Sequence, residues 1–366
     1  MKRAVEIAVK TDVGKVRTEN QDHFCVVEPK GEQEQRGKGS LVVVADGMGG
    51  HTGGTVASHT AIDAIRETFK NSSRTSMRDL LDEAMQSGNV AVRTKAEQNP
   101  QMKDMGTTCV SLLVRGRHAV IAHLGDSRCY MFRDGKAEIV TRDHTYLNEL
   151  VDIGLLTPEQ AEGHPDKNII TRCVGMAPKL EVDFNHREIK TGDAFLMCSD
   201  GLSNFVKIDE MRATVEEHSA ADSCAWLVNL ANERGGEDNI TCAVVKILDI
   251  VEVDGQLAKI DADEAQYNSR ITPVIRSNQV PTRSQPVDSE ADTAEGTARP
   301  EDTPTAEIKA QPVKPSPSGD LDVTVPIPRP KKEEKKKKKW LWSLWFLVLG
   351  AEIAILVALM ILIGQY

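Results

Sequence analysis

The feature that most constrains this chain is a run of five apolar residues, Leu41-Val42-Val43-Val44-Ala45. It stops abruptly at Asp46-Gly47-Met48-Gly49-Gly50-His51 and gives way to a helical pattern. Aliphatic side chains without alternation suit a strand covered on both faces. The glycines that follow allow backbone conformations closed to other residues. An acid so placed stands at the rim of a buried sheet. There the Asp46 carboxylate and the Gly47 carbonyl offer the hard oxygen donors that magnesium or manganese prefers. Taken alone, the motif is equally a strand-to-helix turn with a capping aspartate, since acids and glycines are common at turns.

A chain of 366 residues exceeds the roughly 250 to 300 residues that one core organises, so separable material is expected. The net charge of -10 argues against a nucleic-acid partner for the molecule as a whole. The seven cysteines, Cys25, Cys109, Cys129, Cys173, Cys198, Cys224 and Cys242, are scattered without a CxxC pair, and read as reduced core residues. The opening MKRAVEIAVKTD has no apolar stretch of useful length, so no secretory signal is expected.

Alternation over 4–9 predicts a strand, and TDVGKVRTENQDHFCVVE continues with a turn, a polar loop carrying Arg17 and Asp22, and a second strand, the two strands reading as a hairpin. A surface loop over 30–40 leads into the central strand. Helices are expected over about 53–69 and 77–97; in the second, Leu80, Leu81, Ala84, Met85, Val90, Ala91 and Ala96 fall at helical spacing. From Gly106 the period becomes that of an antiparallel meander, with turns at Arg115-Gly116 and Asp134-Gly135. Residues 143–175 are mixed and polar and read as an insertion beside the site, at about 145–180. Strands over 181–189 and 194–198, helices over 208–217 and 220–233, and a strand over 240–247 complete the domain at about 250.

Beyond that point the composition shifts to Pro, Ser, Thr and acidic residues, so 251–330 reads as a disordered linker. Residues 331–339 hold seven lysines and form a basic juxtamembrane segment. Residues 340–363, a continuous apolar run with a single charge, Glu352, are long enough for a transmembrane helix. The lysine flank places the N-terminal domain in the cytoplasm by the positive-inside rule, which predicts a single-pass protein of the cell (inner) membrane. A flexible tether of this length spans on the order of 50 Å. Gly350, Ala354 and Ala358 form a stripe of small residues that suits weak helix-helix self-association or pairing with another membrane protein; a monomeric anchor is the alternative.

Three further acids repeat the setting of Asp46: Asp126 after HAVIAHLG, Asp200 after GDAFLMCS, and Asp238 in GGED. All stand at strand ends beside glycine. Four such acids around a sheet form a ring whose mutual repulsion is costly unless cations neutralise it.

In order, VGKVRTENQD, VADGMGG, GTT, GDSR, RDHT, SDGL and GGEDNIT resemble the metal-dependent PPM (type 2C) serine/threonine protein phosphatases, over about 5–245. The resemblance, not the periodicity, implies the topology: an α+β fold, a four-layer sandwich of two antiparallel β-sheets flanked by helices. By position, Asp46 as bridging acid, the Gly47 carbonyl, Asp200 and Asp238 match the ligands of a two-metal Mn2+ or Mg2+ centre. Asp126 matches the extra metal position of bacterial members, so the resemblance implies two or three ions. Gln21 stands where some members carry an acid, which leaves any water-mediated contact from that loop to Asp22. Two cations about 4 Å apart can activate a water for in-line attack on phosphorus. Arg17 falls at the family's phosphate-binding arginine, and a guanidinium fork can hold two phosphate oxygens. His51 is the candidate general acid, with a neutral structural role as its alternative; Met48 stands where animal members carry a histidine.

The implied substrates are phosphorylated proteins, with a partner membrane serine/threonine kinase as their expected source. Two rival readings are a catalytically weak phosphoprotein-binding scaffold, which no residue supports, and a hydrolase of a small phosphorylated metabolite. Cys109 to Arg115 has the C-x5-R spacing of cysteine-dependent phosphatases, but VSLLV between them has no glycine and alternates as a strand, so it cannot cradle a phosphate. His144 and His164 read as polar surface or hinge residues.

Overall fold

The computed structural model describes residues 4–50 and 52–271. His51, the basic segment 331–339, the apolar run 340–363 and the linker beyond 271 lie outside the described residues. Among the described residues no helix is long and apolar enough to cross a membrane.

In chain order the elements are strands β1 (Val5–Asp12) and β2 (Asp22–Val27), the short helix α1 (Glu32–Gly37), β3 (Ser40–Met48), and helices α2 (Gly53–Asn71) and α3 (Met77–Gln98). Strands β4 (Gly106–Thr107), β5 (Cys109–Arg115), β6 (His118–Leu124), β7 (Arg128–Arg133) and β8 (Lys136–Ile139) follow, but the expected meander is corrected, because the chain changes sheets between the β5-β6 pair and the β7-β8 pair. Helices α4 (Tyr146–Asp152) and α5 (Pro158–Glu162) come next, in the insertion. The chain continues with β9 (Asp183–Glu188), β10 (Ala194–Cys198), α6 (Asp200–Ser203), α7 (Ile208–Glu217), α8 (Ala220–Glu233), β11 (Ile240–Ile247) and α9 (Gly255–Ile271). One antiparallel sheet runs β1-β11-β10-β7-β8, the other β2-β3-β5-β6-β9 with β4 paired to β3. The expected hairpin of β1 and β2 is therefore corrected: the two strands lie in different sheets and pair with β11 and β3.

The unalternating run in β3 has a direct physical reason. Val42 and Val44 point into the core between the two sheets, with Val110, Leu112, Phe195 and Val245. Leu41, Val43 and Ala45 point the other way, into the core beneath α2 and α3, with Ile62, Ile65, Leu81 and Met85. A third core joins the first sheet to α7 and α8. Three cores separate four layers, as the family resemblance implied.

Ser76 caps α3 by accepting a 3.0 Å hydrogen bond from the Asp79 amide, the expected use of serine at a helix start. Within α3 the expected apolar face is corrected at one place: Val90 is 60% exposed, and the buried positions nearby are Gly88, Asn89 and Val92. All seven cysteines are buried and free.

The expected domain end at 250 is also corrected, because α9 occupies 17 residues of the stretch assigned to the linker. It docks through charge. Arg115, at the end of β5, is 1% exposed and Asp261 of α9 is 0% exposed. The Arg115 Nε donates to Asp261 Oδ2 at 3.0 Å and a second nitrogen bonds Oδ1. Further bonds of 2.8 Å reach the carbonyls of Gly37 and Thr75. A buried guanidinium needs such a partner, and α9 supplies it.

Candidate active site

Strand pairing brings the acids together. Asp22 and Asp46 are directly opposed at the ends of β2 and β3. The backbone around Asp46 is held on both sides: its amide donates to Thr108 Oγ1 at 2.9 Å, and its carbonyl accepts from Thr107 Oγ1 at 2.8 Å. The Gly47 amide donates to the Gln21 carbonyl. A Cβ at Gly47 would lie 2.1 Å from the Gly54 carbonyl oxygen, so only glycine lets α2 begin against this turn.

Asp200 opens α6 directly after β10, and Asp238 lies on the loop leading into β11. The two turns are packed tightly, since a Cβ at Gly201 would meet the Asn239 carbonyl oxygen at 2.0 Å. Asn239 ties this loop to the one carrying Arg17. Its Oδ1 accepts from the Gln21 amide at 2.8 Å, and its Nδ2 donates to the carbonyls of Val13 and Glu19 at 2.9 Å each. Arg17, 54% exposed, donates to Asp238 Oδ2 at 2.8 Å. Asp126 sits in the turn between β6 and β7 and is 8% exposed.

The electrostatics show acids placed where acids are costly. Burial, together with Asp200 and Asp238, pushes Asp22 up to about 7 against the hydrogen bonds of Ser199 and Thr241. Asp46 is pushed well above the carboxylate range by burial and then by Asp22, Asp200, Asp126 and Asp238. Burial and Asp238 raise Asp200, opposed by the hydrogen bond that its Oδ2 accepts from Asn204. Burial, Asp200 and Asp143 push Asp126 up to about 7.

Two buried carboxylate oxygens, Asp22 Oδ1 and Asp200 Oδ1, have no hydrogen-bond partner. The other Asp22 oxygen accepts from Ser199 Oγ at 2.7 Å. Neighbouring Arg128 is committed to Asp143, with bonds of 2.6 and 3.0 Å. Orphan lone pairs on mutually repelling acids are what divalent cations satisfy, and the donor set fits them. Among the described residues no three acidic, histidine or cysteine side chains form a ready-made cage. Hard cations of the magnesium type bind through one or two carboxylates and keep several waters, so a backbone carbonyl and paired acids suffice.

The structure therefore gathers Asp22, Asp46, Gly47, Asp126, Asp200 and Asp238 at one rim, with Arg17 beside Asp238. His51 lies outside the described residues. The insertion abuts the same rim: Thr107, which holds Asp46, exchanges backbone hydrogen bonds of 3.0 and 2.9 Å with Val174. Cys109 and Arg115 lie within one regular strand, burial pushes the thiol up, and the guanidinium faces Asp261, so C-x5-R is no phosphate cradle here.

Sequence reasoning missed the supporting side chains Thr107, Thr108, Ser199 and Asn239. The signal was present, since GTT, SDGL and GGEDNIT contain all four. His144 is a correction. Expected at the surface or a hinge, it is 2% exposed, because it is bonded on both ring nitrogens. His164 is 39% exposed, with Asp166 3.8 Å away.

Residues 15–245 match the family model described as Protein phosphatase 2C. A "Putative protein phosphatase 2C-type" of Streptococcus pyogenes is 39% identical over 246 residues, covering 66% of this chain and 97% of that protein. The serine/threonine protein phosphatase PstP of Mycobacterium tuberculosis is 35% identical over 242 residues; the match covers 66% of this chain but only 45% of that relative's length. A solved catalytic domain of PstP, in complex with two manganese ions, superposes with a TM-score of 0.58 at 34% identity, covering 67% of this chain and 99% of that one. Carrying that family's motifs in order and its two-sheet fold, this chain belongs to the protein phosphatase 2C family.

Proposed function

We propose that this chain is a metal-dependent protein-serine/threonine phosphatase, hydrolysing phosphoserine and phosphothreonine in proteins with Mn2+ or Mg2+. The observation that carries this is the buried set Asp22, Asp46, Asp126 and Asp200, raised together and holding orphaned oxygens. Asp46, the Gly47 carbonyl, Asp200 and Asp238 would hold two ions and Asp126 a third, with Asp22, opposite Asp46 on the neighbouring strand, contributing through water. Bound there, the ions supply a water acidified for attack on phosphorus and positive charge against the developing negative charge.

The chain's own groups do the rest. Arg17 spends one N–H on Asp238, and a guanidinium has five, so the others are available for phosphate oxygens. Asn239 keeps the Arg17 loop at the rim through three hydrogen bonds. His51 is the candidate for protonating the leaving serine oxygen. The manganese-bound PstP domain and the relatives' names support this activity over a scaffold or a metabolite hydrolase.

Location belongs to the same reading. The apolar run 340–363 with its lysine-rich flank supports a single-pass anchor that holds the phosphatase domain on the cytoplasmic side, within reach of a membrane serine/threonine kinase and its substrates. Protease treatment of sealed inverted vesicles is expected to digest the domain; protection would refute this orientation. The activity is tested by turnover of a phosphothreonine peptide. Hydrolysis is expected with manganese and none with chelator, and equal rates in both would refute it.

A further inference from the structure

The Asp126 turn is held from two sides. On one, Thr108 fixes both flanking residues. Gly125 has φ +100° and a Cβ there would meet the Thr108 side chain at 2.6 Å, while Thr108 Oγ1 shares a 2.7 Å hydrogen bond with Ser127 Oγ. On the other side stands His144, which clamps Gly125 twice. Its Nδ1 accepts from the Gly125 amide at 3.1 Å, and its own amide donates to the Gly125 carbonyl at 2.8 Å.

The first of these bonds fixes the tautomer. An N–H donor aimed at Nδ1 requires a lone pair there, so the ring proton of the neutral imidazole sits on Nε2. That nitrogen lies 3.0 Å from Asp183 Oδ2. Asp183 Oδ1 in turn accepts from Arg172 at 3.0 Å. Burial raises Asp183, but the bonds from His144 and Arg172 outweigh it and hold the carboxyl at about 2, so the acceptor stays ionised. Behind His144 packs the His123 ring, 4.7 Å between centroids; burial and His144 drive His123 down to about 3 and keep it neutral. Arg172 belongs to the insertion, and the neighbouring Thr171 amide donates to the His144 carbonyl at 2.9 Å.

We propose that His144 is a positioning residue for the Asp126 carboxylate, and that the chain Arg172–Asp183–His144–Gly125 makes the third-cation position depend on the insertion. This rests on the reading of Asp126 as that cation's ligand. The arrangement is the one by which an acid orients a histidine and the histidine orients a metal ligand, here acting through the backbone of the residue before it. Thr108 cannot serve the same purpose, because it also anchors Asp46 and makes no link to the insertion.

The test is calorimetric titration of the full-length chain with Mn2+ alone, beside thermal melts. Wild type is expected to show a weak class of ion in addition to the tight ones, and Asp126→Asn to lose that weak class. His144→Ala is expected to weaken it by about 10-fold or more while the tight ions keep their affinity. His144→Gln, which presents an acceptor and a donor on one arm, is expected to recover part of the loss. In the Asp126→Asn background His144→Ala is expected to change ion binding no further.

A folded His144→Ala protein with the wild-type isotherm, or one that weakens all classes equally, would overturn the proposal, since a purely structural role lowers only the melting temperature. If His144→Ala does not fold, Arg172→Ala decides: its 38% exposed side chain is expected to be dispensable for folding, and an unchanged weak class would refute the coupling. A wild-type protein lacking the weak class altogether would instead remove the Asp126 assignment, and the two-ion activity would stand.

Discussion

Strand β3 has a buried charge at each end, and the two ends solve the same problem in opposite ways. Ser40 pairs with Val114, which puts Arg115 beside the start of β3; Asp46 lies near its other end, about 20 Å away at 3.3 Å per residue. At the Arg115 end the chain supplies both signs of charge: guanidinium and carboxylate are 1% and 0% exposed, and two backbone carbonyls take remaining donors. At the Asp46 end the neighbouring guanidiniums of Arg17 and Arg128 are paired with Asp238 and Asp143, and the four buried acids are left without a paired cation. Burial and neighbouring acids raise Asp22, Asp46, Asp126 and Asp200, and two of their oxygens accept nothing. Burial alone therefore does not mark a functional site. What separates them is whether the chain carries the counter-charge or leaves it to come from outside.

The sharpest way to break this comparison is to neutralise one acid at the Asp46 end. Asp46→Asn or Asp200→Asn is expected to abolish turnover of a phosphothreonine peptide while the circular dichroism spectrum remains native. A folded variant with near-wild-type rate would end the assignment. The opposite signature is expected at the other end. Asp261→Asn leaves Arg115 buried and unpaired, which costs about 3–5 kcal/mol in such sites. Urea denaturation reads that loss, and kcat and KM of the remaining folded protein are expected to be unchanged.

Acidity distinguishes the two ends further. Asp22 and Asp126 are raised to about 7 in the folded protein, so the folded state binds protons that the unfolded state releases near pH 4. Their contribution is fully present below pH 4 and is lost as pH rises to about 7. The chelated protein is accordingly expected to melt higher at pH 5.5 than at pH 8, and added Mn2+ to remove the difference. The same melting temperature at both pH values without metal would contradict the raised acids. The smallest effect concerns Arg17. Its half-exposed pair with Asp238 is worth little to stability, and Arg17→Ala is expected to raise KM more than it lowers kcat, because phosphate held by charge gains in ground and transition state alike. Steady-state kinetics on the same peptide check it.

What could be read from the sequence follows the same division. The run 41–45 is legible because both faces of β3 are covered, so each residue reports burial by itself. Asp46, Asp126, Asp200 and Asp238 are legible because each lies in a short motif with a nearby glycine, whose missing Cβ the packing requires at Gly47 and Gly201. Helix α9 was not legible, since it carries few large apolar residues and its docking depends on one aspartate meeting an arginine 146 positions earlier. His144 was hidden for a related reason. Its polar neighbours in RDHT suggest solvent, and only the fold brings Gly125 and Asp183 to its two nitrogens. Local pattern reports burial and motif; it does not report partners distant in the chain.

The most direct test of the central claim is the shift in melting temperature that Mn2+ produces at pH 8 in wild type, Asp46→Asn and Asp261→Asn. A ligand that binds only the folded state stabilises it in proportion to its occupancy. Wild type and Asp261→Asn are expected to gain the same rise, the second from a lower starting point, and Asp46→Asn to gain little or none. An equal rise in Asp46→Asn would show that the cations bind elsewhere and would contradict the account.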